Sequence, residues 1–301
     1  MNNLSRERRA SHEYLIDYFK LKNYTYSESE KILKSKQFRL YFSSKVYPDT
    51  KVKECSFFNG EAYYPETYLR NPYKVGKWFI KPSRGSNGKG IVITDNLKNI
   101  KSNDVVFQRS VENLLLNNNK KQDIRVFVVL QTYKGHLYSY IYNEAYVRLS
   151  SKKYNENDFN INTQLTNLMI YNGDINDAIE KFTNQPYYNK IYPKIKDVVV
   201  DFSNKIYKKI NNKTQRNLIQ LFGFDFIPDN NNKVWLLEIN DSPGPTMVTD
   251  MPKKFKSFRP DFLDTMLDEL IYPMGDDVNI NSNKFKQVFK KQLEFEKWIT
   301  L

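Results

Sequence analysis

The sequence predicts an α+β protein whose antiparallel sheets are flanked by helices, preceded by a small N-terminal lobe. Three observations predict it. A dense run of strand signals fills residues 77–147, one amphipathic helix covers 190–211, and an apolar hairpin spans 221–240. The lobe takes residues 1–75. Residues 76–301 form central and C-terminal subdomains closed by helices.

Within the lobe, residues 11–37 read as two helical pieces. Tyr14, Leu15, Tyr18 and Phe19 make one apolar stripe, and Ser27-Glu28-Ser29-Glu30 opens the second piece. Residues 38–75 are mixed and carry Pro48, Pro65 and Pro72. Strands are predicted at 77–82, 90–94, 105–108, 124–131 and 136–147, with a Gly-rich turn at 85–90 and a polar stretch at 117–122. Residues 155–165 are polar and Asn-rich and read as a mobile loop. Ile191, Ile195, Val198, Val199, Phe202, Ile206 and Ile210 fall on one stripe of the 190–211 helix. Two more helices are predicted at 259–272 and 282–299.

Composition bounds the function. At 301 residues, with 40% hydrophobic and 15% aromatic residues, the chain can bury a substantial core. No apolar run reaches the roughly 20 residues that span a bilayer, and residues 1–10 lack a signal-type apolar stretch, so a cytoplasmic protein without membrane contact is expected. Cys55 is the single cysteine, which rules out an intrachain disulfide and suits a reducing compartment. With His12 and His136 the only histidines, a zinc cluster and a serine–histidine–aspartate triad are disfavoured. The net charge of +13 suits a polyanionic partner: nucleic acid, an anionic membrane or an acidic protein tail.

The hairpin carries the sharpest chemistry. Phe222, Phe224 and Phe226 share one face of its first strand, so Asp225 points to the other. On the second strand Trp235, Leu237 and Ile239 share a face, opposite Glu238 and Asn240. A four-residue loop at 230–233 sets Asp225 across from Glu238. Three oxygen donors on one side of a hairpin suit Mg²⁺, which completes its shell with substrate phosphates. The alternative is a solvated acidic face, but the apolar flanks make an uncompensated carboxylate pair costly.

A second motif runs from Trp78 to Val92. A strand ends in Lys81, and a loop of Gly85, Ser86, Gly88 and Gly90 follows, flanked by Arg84 and Lys89. Glycines let backbone N–H groups approach phosphate oxygens. The loop joins two strands and so is not a Walker loop; an ordinary Gly-rich hairpin is the alternative. Asp123 and Arg125 share one face of the next apolar strand, either as an edge salt bridge or with Arg125 aimed at a phosphate or carboxylate. Arg148 is a second candidate of that kind.

These segments together resemble the tubulin tyrosine ligase-like family of ATP-grasp ligases. The resemblance runs from about 64 to 245 through Pro65-Glu66-Thr67-Tyr68, Trp78 to Ile91, Lys121-Gln122-Asp123-Ile124-Arg125, Leu165-Thr166-Asn167 and Phe222 to Pro243. It implies an ATP-grasp fold over 76–301 and an ATP- and Mg²⁺-dependent ligase that joins an amino acid, glutamate favoured, to a protein carboxylate through an acyl phosphate. The implied acceptor is acidic, such as a tubulin C-terminal tail, and the chain is expected to act as a monomer. The resemblance implies nucleotide contacts from Lys81 and its glycine loop, from Gln108 with Arg109 and Val111 after it, and from Lys121, Asp123 and Asn167. It implies metal ligation by Asp225, Glu238 and Asn240, with Arg125 and Arg148 facing the acyl phosphate and acceptor. Gln164 stands where the family usually has His, and Gln122 replaces an aromatic; both bear on which amino acid is added. A basic nucleic-acid-binding or nucleotidyl-transferring protein and a non-catalytic ATP-binding scaffold are the competing readings. The Lys-x-Asp-Gly nucleophile of a polynucleotide ligase is absent.

Overall fold

A computed structural model describes residues 47–85, 87–101, 103–172, 174, 177–210, 218–241, 243, 265–266, 269–270 and 282–293. The helices predicted at 11–37 lie outside the described residues, as does most of the one at 259–272.

Two antiparallel sheets form the frame. The smaller has the order β1-β4-β2-β3, from β1 (Thr67–Tyr68), β2 (Trp78–Pro82), β3 (Val92–Thr94) and β4 (Val105–Arg109). Alternation gives β2 two faces. Trp78 and Ile80 pack with Leu97 and Phe107 in an apolar cluster, which leaves Phe79 and Lys81 on the other side. Gln108 of β4 pairs with Phe79 and joins them there.

The larger sheet is organised on β5 (Lys120–Tyr133), flanked along its length by β9 (Leu218–Pro228). On its other side β5 pairs first with β7 (Tyr146–Lys153) and then with β6 (His136–Tyr142). β10 (Val234–Asn240) extends the sheet past β9, β11 (Phe285–Gln292) pairs with β6, and the short β8 (Ile179–Lys181) pairs with β7. Ile124, Val126, Val128 and Leu130 turn one face of β5 into the main core, with Phe222, Phe224 and Phe226 of β9 beside them. Helix α3 (Tyr188–Lys209) covers that face along the predicted stripe, and Phe202 meets Phe222 and Phe224 at ring centroids of 5.5 and 5.1 Å. Asp123, Arg125 and Asp225 therefore emerge on the opposite face.

Several expectations are corrected. The strand predicted at 136–147 is two strands, β6 and β7, and β5 starts at Lys120 inside the stretch read as polar connection. Residues 155–165 hold a short helix α2 (Ile161–Gln164) capped by Asn160, and the side-chain oxygens of Asn155 and Asp158 accept from the Asn157 and Asn160 N–H groups. The helix predicted at 282–299 is a strand over 285–292. A bulge between Gln287 and Phe289 sets the adjacent Val288 and Phe289 both against the main core, while Phe285 is buried against Tyr142; apolar residues at 285, 288 and 289 imitate helical spacing. Helix α1 (Lys51–Phe58) went unpredicted, although Thr50 accepts from the Lys53 N–H as an N-cap and Pro48-Asp49-Thr50 is a legible start signal.

The hairpin has its own irregularity. Val234 pairs with Pro228, so the loop is the five residues 229–233 and not 230–233. Leu237 is then the extra residue of a bulge, and beyond it Glu238 pairs with Asp225 as predicted. The bulge also divides the face assigned to Trp235, Leu237 and Ile239. Leu236 and Ile239 enter the main core, while Trp235 and Leu237 pack with Val111, Leu114 and Ile227 on the other side.

Candidate functional site

The two sheets clasp a cavity of about 830 Å³, counting its open mouth. Lys81 and Gln108 come from the small sheet, Lys121, Asp123, Arg148 and Asp225 from the large one, and Leu237 and Glu238 from the bulge. Among the described residues six basic side chains (Lys51, Lys81, Lys89, Arg109, Lys121, Arg148) line it against three acidic ones (Asp123, Asp225, Glu238). Its field favours an anion.

Two lysines are buried with no carboxylate in salt-bridge contact among the described residues. Lys81 is 8% exposed and donates to Gln108 Oε1 at 2.6 Å; burial pulls its pKa down. Lys121 sits with Nζ 4.6 Å from the Phe79 ring centre. Burial, then Lys77 and Lys81, lowers it to about 7. Buried ammonium groups without a carboxylate partner are costly and await an anion. Gln108 also donates to the Leu237 carbonyl at 3.4 Å, the group that the bulge takes out of the ladder.

The floor is an ion-pair lattice set by strand register. Asp123 lies opposite Arg148, and Arg125 opposite Asp225. Arg148 grips both oxygens of Asp123 at 2.7 and 2.6 Å and reaches Asp225 Oδ1 at 3.0 Å. Arg125 grips Asp225 with Nε and Nη2, the latter at 2.9 Å from Oδ2. Thr166 adds a 2.6 Å hydrogen bond to Asp123. Burial would raise the Asp225 carboxyl, but the two guanidinium groups outweigh it and hold it at about 2. The edge salt bridge considered for Asp123 and Arg125 does not form; both sit on a central strand and each takes a partner across it.

Asn240 completes the hairpin group. With its amide nitrogen donating to Glu238 Oε1 at 2.9 Å, its oxygen accepts from Arg125 Nη2 at 3.2 Å. No group of three or more His, Cys, Asp or Glu side chains suited to a metal occurs among the described residues. The hairpin instead offers two carboxylates and an amide. The donors are all hard oxygens on two bonded strands, and this chemistry fits Mg²⁺ with phosphate as its remaining ligand.

Most of the predicted site residues converge. Lys81, Gly85, Gly88, Lys89, Gln108, Arg109, Val111, Lys121, Asp123, Arg148, Asn167, Asp225 and Glu238 line the one cavity. Arg125 and Asn240 stand behind the wall, Arg125 against Asp225 and Asn240 between Arg125 and Glu238. Arg84 and Gly90 are exposed and outside the lining, and Ser86 lies outside the described residues. Arg109 lines the cavity, but its guanidinium turns to Glu66 and Glu112. Gln164 is on the wall, and its amide donates to the Asn155 and Asp158 carbonyls at 2.7 Å each. Gln122 faces away, between the Leu115 carbonyl and the Tyr187 hydroxyl.

Helix α1 supplies two residues that sequence reasoning missed. Lys51 Nζ lies 3.4 Å from Glu238 Oε2 and donates to the Gly85 carbonyl at 2.9 Å. Glu54, one turn on, is 4% exposed, and its Oε1 has no hydrogen-bond partner among the described residues. Burial and then Glu238 raise its carboxyl to about 8. The i, i+3 spacing puts both on one helix face.

A pair of antiparallel sheets clasping a cationic cavity, with helices against them, is the α+β arrangement of an ATP-grasp protein. The sequence profile of the Tubulin-tyrosine ligase family matches residues 18–279, and the chain belongs to that family. It is 28% identical over 238 residues to Tubulin glycylase 3B of Tetrahymena thermophila, covering 71% of this chain and 20% of that protein. Similarity to the Probable alpha-tubulin polyglutamylase Ttll1 of the same organism is 25% over 236 residues, covering 64% and 54%. Tubulin polyglutamylase TTLL5 of Mus musculus is 27% identical over 211 residues, covering 60% and 16%. The chain thus spans only part of the length of these relatives. No helix among the described residues is long and apolar enough to cross a membrane.

Proposed function

We propose that the chain is an ATP- and Mg²⁺-dependent ligase that joins the amine of an amino acid to a carboxylate of an acidic protein acceptor. The observation that carries this reading is the cavity itself. Two buried lysines face the Asp225 and Glu238 carboxylates of the hairpin across one cleft, with the Asn240 amide just behind them. When bound, Mg·ATP supplies the phosphoryl group that activates a carboxylate toward an amine.

The chain's own part is positioning and charge. Asp225, Glu238 and Asn240 would hold the ion. Lys81 and Lys121 would meet phosphate oxygens, and Gln108 would orient the base beside β4. Arg148, fixed by Asp123 and Asp225, would add a rigid positive charge at the floor beside the reacting groups. The 83–90 loop shields the reacting groups: Gly88 packs so closely to Asn167 and Leu165 that an added Cβ would lie 3.3 Å from each. Excluding water there protects an activated carboxylate from hydrolysis.

The acceptor in this reading is a tubulin tail, supported by the names of the relatives and by the +13 charge of the chain. Those names carry both glycine and glutamate addition; glutamate is our first choice and glycine the second. The test incubates the protein with ATP, Mg²⁺, tubulin and isotopically labelled glutamate or glycine. Label fixed in the tubulin tail with stoichiometric phosphate release is expected. Release of phosphate without fixed label, or neither, contradicts the reading.

A further inference from the structure

Lys51 has two partners, and both belong to the proposed machinery. Its ammonium lies 3.4 Å from Glu238 Oε2, a proposed metal ligand, and 2.9 Å from the carbonyl of Gly85 in the phosphate loop. The side chain is only 13% exposed. Its backbone N–H donates to the Ser83 carbonyl at 3.2 Å, so the helix start is pinned to that loop.

Glu238 therefore has a countercharge before any ion arrives. A divalent ion bound to the same carboxylate would meet this ammonium at close range in a poorly screened site, where like charges repel strongly. Triphosphate oxygens arriving with the metal would offer the ammonium another anion within reach of Gly85. We propose that Lys51 is a place-holding cation. It neutralises Glu238 in the nucleotide-free site, opposes binding of a divalent ion alone, and transfers to phosphate when metal and nucleotide enter together. This rests on the hairpin being the metal site.

The test measures free Mn²⁺ by electron paramagnetic resonance, with Mn²⁺ alone and with Mn²⁺ plus a non-hydrolysable ATP analogue. The proteins are wild type, Lys51→Met, Lys51→Gln, Lys51→Arg and Glu238→Gln, each checked for a cooperative thermal transition. Lys51→Gln keeps a donor for Gly85 and stands in if Lys51→Met does not fold. The neutral variants are expected to bind Mn²⁺ alone about fivefold or more tightly than wild type. The gain in Mn²⁺ affinity on adding the analogue should shrink about tenfold. Lys51→Arg should behave as wild type. A plain phosphate ligand would leave the affinity for Mn²⁺ alone unchanged, and a structural brace would weaken it; either result overturns the proposal. Glu238→Gln tests the foundation separately. If it leaves Mn²⁺·analogue binding unchanged, the hairpin reading fails, and the role of Lys51 fails with it.

Discussion

Arg125 and Asp225 lie directly opposite each other on adjacent strands and close a two-point ion pair in the buried wall of the cavity. Arg148 joins the same carboxylate from the next strand at 3.0 Å. One anion is thus fixed by two guanidinium groups, each set by register and not by a flexible loop. The metal-ligand role proposed for Asp225 would gain from such support, which holds the carboxylate in place before an ion arrives.

Removing an arm of this lattice should cost much more than a surface ion pair. Arg148→Met leaves Asp123 with Thr166 alone, and a loss of about 3–5 kcal/mol is expected in urea unfolding. Adding Asp123→Asn should restore part of it, so that the double variant is less destabilised than the sum by more than about 1 kcal/mol. Strict additivity would contradict the pairing.

Glu238→Gln is close to isosteric, and Glu238 is partly exposed to the cavity. Ligation should be abolished while the thermal transition stays near that of wild type. Normal turnover by this variant would exclude the proposed metal site.

Gly88 has φ +72 and approaches Asn167 and Leu165, whereas Gly60 has φ +84 with open space around it. Alanine at either should cost about 1–2 kcal/mol of backbone strain. Only Gly88→Ala should push the loop from the 165–167 segment, weakening nucleotide binding about tenfold by calorimetry. Equal nucleotide affinity in the two variants would remove the loop from the binding account.

Lys121 gives the pH dependence. Its pKa falls from an ordinary 10.5 to about 7 in the folded protein, through burial and then Lys77 and Lys81. Between these values the unfolded state binds more protons, so the unliganded protein gains stability as pH rises through this window. Phosphates favour the charged amine, so nucleotide binding near pH 8 should take up a proton and weaken as pH rises from 7 to 9. Calorimetry in two buffers of different ionisation enthalpy reads that proton. Lys121→Met should abolish the uptake; uptake that persists in the variant would assign the proton elsewhere.

Much of this was legible because period and spacing carry it. The alternation of β2, β5 and β9 put Lys81, Asp123, Arg125 and Asp225 opposite their apolar faces, and the stripe of α3 named the surface that buries the faces of β5 and β9. Bulges defeated the same reasoning. The one at Leu237 moved Ile239 to the core, and the one at Val288 made a strand look helical. The partners of Asp123 and Arg125 depended on strand order, which periodicity does not encode. Lys51 and Glu54 were hidden for a related reason: a helix of eight residues has little pattern of its own, and its place beside Glu238 comes from tertiary docking.

The most direct test of the whole account is a crystal structure with Mn²⁺ and a non-hydrolysable ATP analogue, read through the anomalous signal of the ion. A single peak ligated by Asp225, Glu238 and Asn240, with phosphates reaching Lys81 and Lys121, is expected. A nucleotide bound elsewhere, or a peak away from this hairpin, would contradict it.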